Sequence, residues 1–79
     1  MRLLIIEDEK ELCNTIAKSL HQSGYETDTC YDGEEALSIL SSERYDLVIL
    51  DLNLPGADGM TILKTLRKED EETKVLILS

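Results

Sequence analysis

The sequence predicts an α/β fold in which an open parallel sheet carries helices on both faces. Three observations predict it: four short runs of Leu, Ile and Val, helical patterns between them, and acidic or hydroxyl residues directly after three of the runs. Alternating strand and helix patterns imply parallel strands joined by crossover helices, and the right-handedness of such crossovers fixes most of the topology.

Leu3-Leu4-Ile5-Ile6 is a continuous apolar run, as a strand buried on both faces requires. Leu12, Cys13, Ile16, Ala17 and Leu20 then recur on one face of an amphipathic helix, and Gly24 suits the position just past its end. Loose alternation from Tyr25 to Tyr31, with Thr27, Thr29 and Cys30, predicts a second and less buried strand. Asp32-Gly33 reads as a turn. Glu34 and Glu35 complement the dipole of a helix that carries Ala36, Leu37, Ile39 and Leu40 and fades at Ser41-Ser42. Leu47-Val48-Ile49-Leu50 is the purest buried strand, and Pro55-Gly56 forces the loop after it. Asp58 is placed to cap a third helix with Ile62, Leu63 and Leu66 facing inward and Arg67 and Lys68 near its end. A polar loop over residues 69–73 leads to Val75-Leu76-Ile77-Leu78, a fourth buried strand.

A chain of 79 residues makes at most one small domain. Its hydrophobic share of 42% is too high for a disordered segment, and without Trp or Phe the core must be aliphatic. The net charge of −9 repels nucleic acid and anionic membranes, so direct nucleic-acid binding is excluded and a cationic partner or divalent metal is favoured. Cys13 and Cys30 form no metal-binding spacing and read as buried thiols. No apolar run approaches the ~18 residues of a membrane span, and no signal peptide is evident, so the chain reads as cytoplasmic. His21 reads as a solvated helix-end residue. Tyr25, Tyr31 and Tyr45 read as packed rings with wet hydroxyls, and residues 69–72 as a solvated acidic loop.

Open parallel sheets bind ligands outside the carboxyl ends of their strands, where the strand order reverses. Glu7 and Asp8 follow the first strand, Asp51 the third and Ser79 the fourth. If those strands are neighbours, three carboxylates and a hydroxyl converge, although no stability argument requires it. Two carboxylates about 4 Å apart repel by roughly 4 kcal/mol at an effective dielectric near 20, a cost that a divalent cation relieves. Ligands that are all oxygen favour Mg²⁺, Mn²⁺ or Ca²⁺ over zinc. Glu9 and Glu11 read instead as solvated loop or cap residues. Asp51, Asn53 and Gly56 imitate the start of a calcium loop, but Pro55 and Ile62 occupy positions where that loop needs ligands.

The segments LLIIEDE, YDGEEAL, YDLVILDLNLPGADGM and VLILS resemble, in order and over all 79 residues, the receiver domains of two-component response regulators. The resemblance implies a flavodoxin-like doubly wound sheet. It implies Asp51 as the phosphoryl acceptor, supplied by a sensor histidine kinase. Mg²⁺ would be held by Asp8, Asp51 and the backbone carbonyl of Asn53, with Glu7 acting through water. Ser79 would be the hydroxyl that contacts the phosphoryl group, the Asn53 side chain would lie beside that group, and Pro55 and Gly59 would shape the loop. Such a domain is a partner in transfer rather than a turnover enzyme, and family members commonly precede an effector domain that is often DNA-binding.

The resemblance implies further that residues 1–79 form an incomplete receiver, lacking a fourth helix, fifth strand and fifth helix. The lysine that binds the phosphoryl oxygen lies in that part, and neither Lys64 nor Lys74 is placed to replace it. An uncharged fourth strand at a sheet edge is also expected to pair with another chain, so self-association is expected through it or through exposed helix faces. Two other readings compete. One is a structural or self-associating fragment without chemistry. The other is a Mg²⁺-dependent phosphohydrolase, which would place its nucleophile after the first strand with a second Asp two residues on; here Asp51 is followed at that spacing by Asn53.

Overall fold

In a computed structural model, which describes residues 1–55 and 58–78, the two purest apolar runs lie side by side at the centre of a four-stranded parallel sheet. The elements are β1 (Arg2–Ile6), α1 (Lys10–Gln22), β2 (Glu26–Cys30), α2 (Gly33–Ser42), β3 (Leu47–Asp51), α3 (Gly59–Glu69) and β4 (Lys74–Leu78). The strand order is β2-β1-β3-β4, with Ile6 opposite both Cys30 and Leu50 and Asp51 opposite Leu78. The order reverses between β1 and β3, so their carboxyl ends define the switch-point crevice.

Two apolar layers cover the sheet. On one face Leu4, Ile6, Val48 and Leu50 pack against Ala36 of α2 and Ile62 and Leu66 of α3. On the other, Ile5 and Ile49 pack against Cys13, with Ile16, Ala17 and Leu20 of α1 around them. Leu12 departs from the predicted stripe: it lies off the seam made by Cys13 and Ile16 and is 41% exposed. Cys13 and Cys30 are both free and buried.

Local chemistry sets the helix ends. Gly24 adopts φ +98° just after α1, a conformation that costs any residue with a Cβ. Asp32 accepts the Glu35 N–H at 2.8 Å, so Asp32 caps α2 and Gly33 is its first residue rather than part of a turn. Asp58 caps α3 through the Thr61 N–H at 3.0 Å.

Three expectations need correction. Tyr45 is buried, and its hydroxyl donates to Asp28 at 2.7 Å while its ring lies under Arg2; the partners come from distant segments and replace water. The fourth strand, expected to be buried from its apolar run alone, is only partly so and stands as the sheet edge that the resemblance implies: Leu76 is 52% and Ile77 39% exposed, because among the described residues β4 has a neighbour on one side only. The acidic loop is not uniformly solvated. The Asp70 side chain is 11% exposed, accepts the N–H groups of Glu72 and Thr73 at 2.9 and 3.1 Å and the Thr73 hydroxyl, and faces Arg44 at 3.3 Å. Arg67 donates to the Thr73 carbonyl at 2.6 Å, fastening the end of α3 to the start of β4.

These contacts, the Thr73 hydroxyl first, hold the Asp70 carboxyl down to about 2, from an ordinary value of 3.8. A carboxylate whose value falls on folding adds stability above the unfolded value and loses it as pH falls through the folded one. Asp70→Asn is therefore expected to lower the melting temperature by several degrees at pH 7, with the gap to the wild type closing between pH 4 and pH 2. A constant gap across that range in parallel thermal melts would rule out a role for the charge.

Candidate metal centre

Each acidic residue of the centre is placed by the end of a strand. Glu7 follows β1 directly; its N–H donates to the Cys30 carbonyl at 3.0 Å, which extends the β1–β2 ladder by one bond. Its carboxylate turns back to accept the Glu9 N–H at 3.1 Å, and the side chain is buried. Asp8 is exposed at the rim, and Asp51, the last residue of β3, is half-buried. One carboxylate oxygen from each of Glu7, Asp8 and Asp51 lies within 4.8 Å of the others.

Burial pushes the Glu7 carboxyl above its ordinary value, and the adjoining Asp8 and Asp51 carboxyls push it the same way; the Glu9 N–H pulls it partly back. Unit charges at such separations repel by roughly 3 kcal/mol at an effective dielectric near 20. The donor set is all oxygen and open on the Asp8 side, so it suits a hard divalent cation that keeps part of its water shell.

The loop after β3 is held by main-chain bonds. The Asn53 N–H donates to the Asp51 carboxylate at 3.0 Å, which orients that carboxylate, and the Asn53 residue is exposed. The Leu52 N–H donates to the Leu78 carbonyl at 3.3 Å, and the Gly59 N–H to the Leu52 carbonyl at 3.2 Å. The Pro55 carbonyl accepts the Gly33 N–H at 3.1 Å, tying this loop to the start of α2. Gly59 has a packing reason to be glycine: a Cβ there would lie 2.5 Å from the Leu52 Cα and 2.7 Å from the Asp51 carbonyl oxygen. Gly56 and Ser79, the latter the expected hydroxyl, lie outside the described residues.

The structure thus gathers Glu7, Asp8 and Asp51, with Asn53 beside them through its main chain. It leaves Lys74 at the far end of the sheet, paired with Leu47, while Asp51 pairs with Leu78. Lys64 is exposed on α3. The N–H of Glu9 and the carbonyl of Pro55 also order the site, and neither carries a sequence signal, because any residue type supplies a main-chain group.

A doubly wound parallel sheet with an acidic cluster at its switch point belongs to the open α/β domains that bind their ligands at the carboxyl ends of the strands. Residues 3–79 match the sequence profile of the response regulator receiver domain, and the chain belongs to that family. Over all 79 residues it is 43% identical to the transcriptional regulatory protein TctD of Salmonella typhimurium and 39% identical to the transcriptional regulatory protein DltR of Streptococcus agalactiae. It spans 35% of the length of each of those relatives. Among solved structures it is similar to the Francisella response regulator 1452 receiver domain, with a TM-score of 0.92 and 35% identity, covering 99% of this chain and 64% of that one. It is also similar to TrrA of Thermotoga maritima in complex with Mg(2+)-BeF, with a TM-score of 0.90 and 38% identity, covering 96% and 66% of the two chains. TrrA has also been solved in complex with the histidine kinase ThkA. Among the described residues no helix is long and apolar enough to cross a membrane.

Proposed function

We propose that residues 1–79 form part of a receiver domain that takes a phosphoryl group on Asp51 from a sensor histidine kinase in a Mg²⁺-dependent reaction. The observation that carries this reading is the Asp51 carboxylate, held at the end of a central strand with Glu7 and Asp8 oxygens within 4.8 Å. The complexes of TrrA with Mg(2+)-BeF and with ThkA support the choice of cation and partner.

An Asp51 carboxylate oxygen attacks the phosphorus of a phosphohistidine. A P–O bond forms, the P–N bond breaks, and the imidazole leaves with its electron pair. Phosphoryl transfer of this kind needs an in-line nucleophile, positioning and charge neutralisation more than covalent chemistry from the protein. The Asn53 N–H fixes the orientation of the acceptor carboxylate. Asp8, Asp51 and the Asn53 main-chain carbonyl would hold the Mg²⁺, with Glu7 reaching it through water. When bound, the ion neutralises charge on the carboxylates and the incoming phosphoryl oxygens. Ser79 is assigned the hydroxyl that contacts the phosphoryl group.

The domain in this reading is a signalling acceptor in the cytoplasm and not a turnover enzyme. Its net charge of −9 leaves nucleic-acid contact to other parts of a longer regulator. Incubation with Mg²⁺ and a small acyl phosphate is expected to add one phosphoryl mass to the intact chain. The adduct should be absent without Mg²⁺ and absent in Asp51→Ala. An unmodified wild-type chain under those conditions would overturn the reading and leave a fragment without chemistry.

A further inference from the structure

We propose that Gly33, at the start of α2, is a positioning residue for the Asp51 centre: its N–H holds the loop that carries the Asn53 carbonyl. The inference rests on the reading that this carbonyl meets the cation, and it adds the element that sets the carbonyl's place.

The need for such an element follows from charge. Glu7 and Asp8 follow β1 and Asp51 ends β3, with carboxylate oxygens within 4.8 Å of one another. These groups repel. The paired register of β1 and β3 ends at Ile6 and Leu50, one residue short of both sets of acids.

A short segment, Cys30 to Gly33, touches both sides of the centre. At one end the Cys30 carbonyl accepts the Glu7 N–H at 3.0 Å, and at the other the Gly33 N–H donates to the Pro55 carbonyl at 3.1 Å. The segment is braced from within. The Cys30 thiol donates to the Asp32 carbonyl at 3.2 Å, and the Asp32 carboxylate accepts the Glu35 N–H at 2.8 Å. Cys30 and Gly33 are both buried, so water competes little for the bonds at the two ends.

On the Asp51 side the loop has few other anchors. Among the described residues, the Gly33 bond is the one main-chain to main-chain bond made by residues 53–55. The Leu54 side chain packs against the layer beneath α2 and α3, and the Asn53 N–H goes to Asp51 itself. Two planar peptide units separate the Asn53 carbonyl from the tethered Pro55 carbonyl, so the tether restricts both. Groups that orient a ligand without touching the metal ordinarily change its affinity 10–100-fold.

The contact can be removed without removing the helix. Gly33 is the first residue of α2, where proline is favoured because the N–H has no partner within the helix. The residue before a proline must be extended, and Asp32 is, at φ −147° and ψ 163°. Gly33→Pro therefore deletes the N–H and keeps the cap, whereas Gly33→Ala adds a side chain and keeps the N–H.

Titration of the wild type and both variants with Mg²⁺ alone, followed by amide NMR, tests the inference. Gly33→Pro should bind Mg²⁺ about tenfold more weakly than Gly33→Ala. Its deficit in labelling by acyl phosphate should close as Mg²⁺ is raised, which a folding lesion would not allow. In the wild-type chain Mg²⁺ should slow hydrogen exchange at the Gly33 amide more than at the Glu35 amide, because a bond that favours the ion must be favoured by it in turn. Equal Mg²⁺ affinities in the two variants, or equal slowing at the two amides, overturns the proposal and leaves the Asp51 reading intact. A wild-type chain that does not bind Mg²⁺ overturns both. The exchange measurement needs no variant and decides the matter should Gly33→Pro fail to fold.

Discussion

Gly59→Ala is expected to destabilise the chain by about 1–3 kcal/mol and to impair phosphoryl transfer together with it. The helix argument alone points the other way. Gly59 opens α3, and exchanging helical Gly for Ala ordinarily gains about 0.5–1 kcal/mol from the unfolded chain's lost freedom and the better propensity. Contact decides the sign. The added Cβ would sit 2.5 Å from the Leu52 Cα and 2.7 Å from the Asp51 carbonyl oxygen, and main-chain atoms cannot swing aside as a long side chain can. Something must shift, and what shifts is Asp51, the proposed acceptor, and its neighbour Leu52. Loss of 1–3 kcal/mol in a domain of this size lowers the melting temperature by roughly 5–20 °C. The adduct formed with acyl phosphate should fall even at temperatures where the variant remains folded. Gly24→Ala makes the contrast: its φ is +98° but nothing lies within 4 Å of the new Cβ, so it should cost about 1 kcal/mol and leave phosphorylation untouched. A Gly59→Ala chain that melts at or above the wild-type temperature would show that the loop has room.

The legible parts of this protein are those that one stretch of chain determines. Leu3 to Ile6 and Leu47 to Leu50 could satisfy their apolar runs only as central strands, and the structure buries Leu4, Ile5, Ile6 and Val48 completely. Asp58 announced a helix start by type and place. The acids after the first and third runs had no role in a core, and their convergence followed once those strands were adjacent. What was not legible depends on distant partners. Tyr45 finds Asp28 seventeen residues away, and Arg2 reaches Glu43 across forty-one, so nothing local distinguishes this tyrosine from a wet one. Asp70 sits among Glu69, Glu71 and Glu72 and differs from them only because the turn carries it onto the Thr73 hydroxyl and toward Arg44. Leu12 belongs to the helical stripe by spacing and leaves it by one step of rotation. Leu76 and Ile77 read as core from their apolar run, which cannot say how many neighbours a strand has, and as edge residues only through the family resemblance.

Asp8→Asn is expected to raise the melting temperature of the metal-free protein and to lower it in Mg²⁺, so that the order of wild type and variant reverses. In the metal-free chain Asp8 has two carboxyl neighbours within 4.8 Å and one of them, Glu7, is buried. Replacing Asp8 by its neutral isostere removes part of that repulsion. Asp8 itself is exposed, so solvent screens the gain to about 1 kcal/mol or less. A ligand that binds only the folded state adds about 2.7 kcal/mol at a hundred times its Kd. Changes in the shell outside a metal's ligands already weaken binding 10–100-fold, and loss of a direct ligand, the role proposed for Asp8, should do no less. At the same Mg²⁺ concentration a tenfold weaker site adds only about 1.4 kcal/mol, and a hundredfold weaker one about 0.4. The wild type therefore gains roughly 1–2 kcal/mol more from the ion than the variant does, enough to overturn its metal-free deficit. Thermal melts of both chains with Mg²⁺ and with a chelator measure the two differences directly. A packing lesion would lower the variant under both conditions, and an acidic cluster without a cation role would leave it the more stable under both. Only carboxylates gathered to hold a cation give opposite signs.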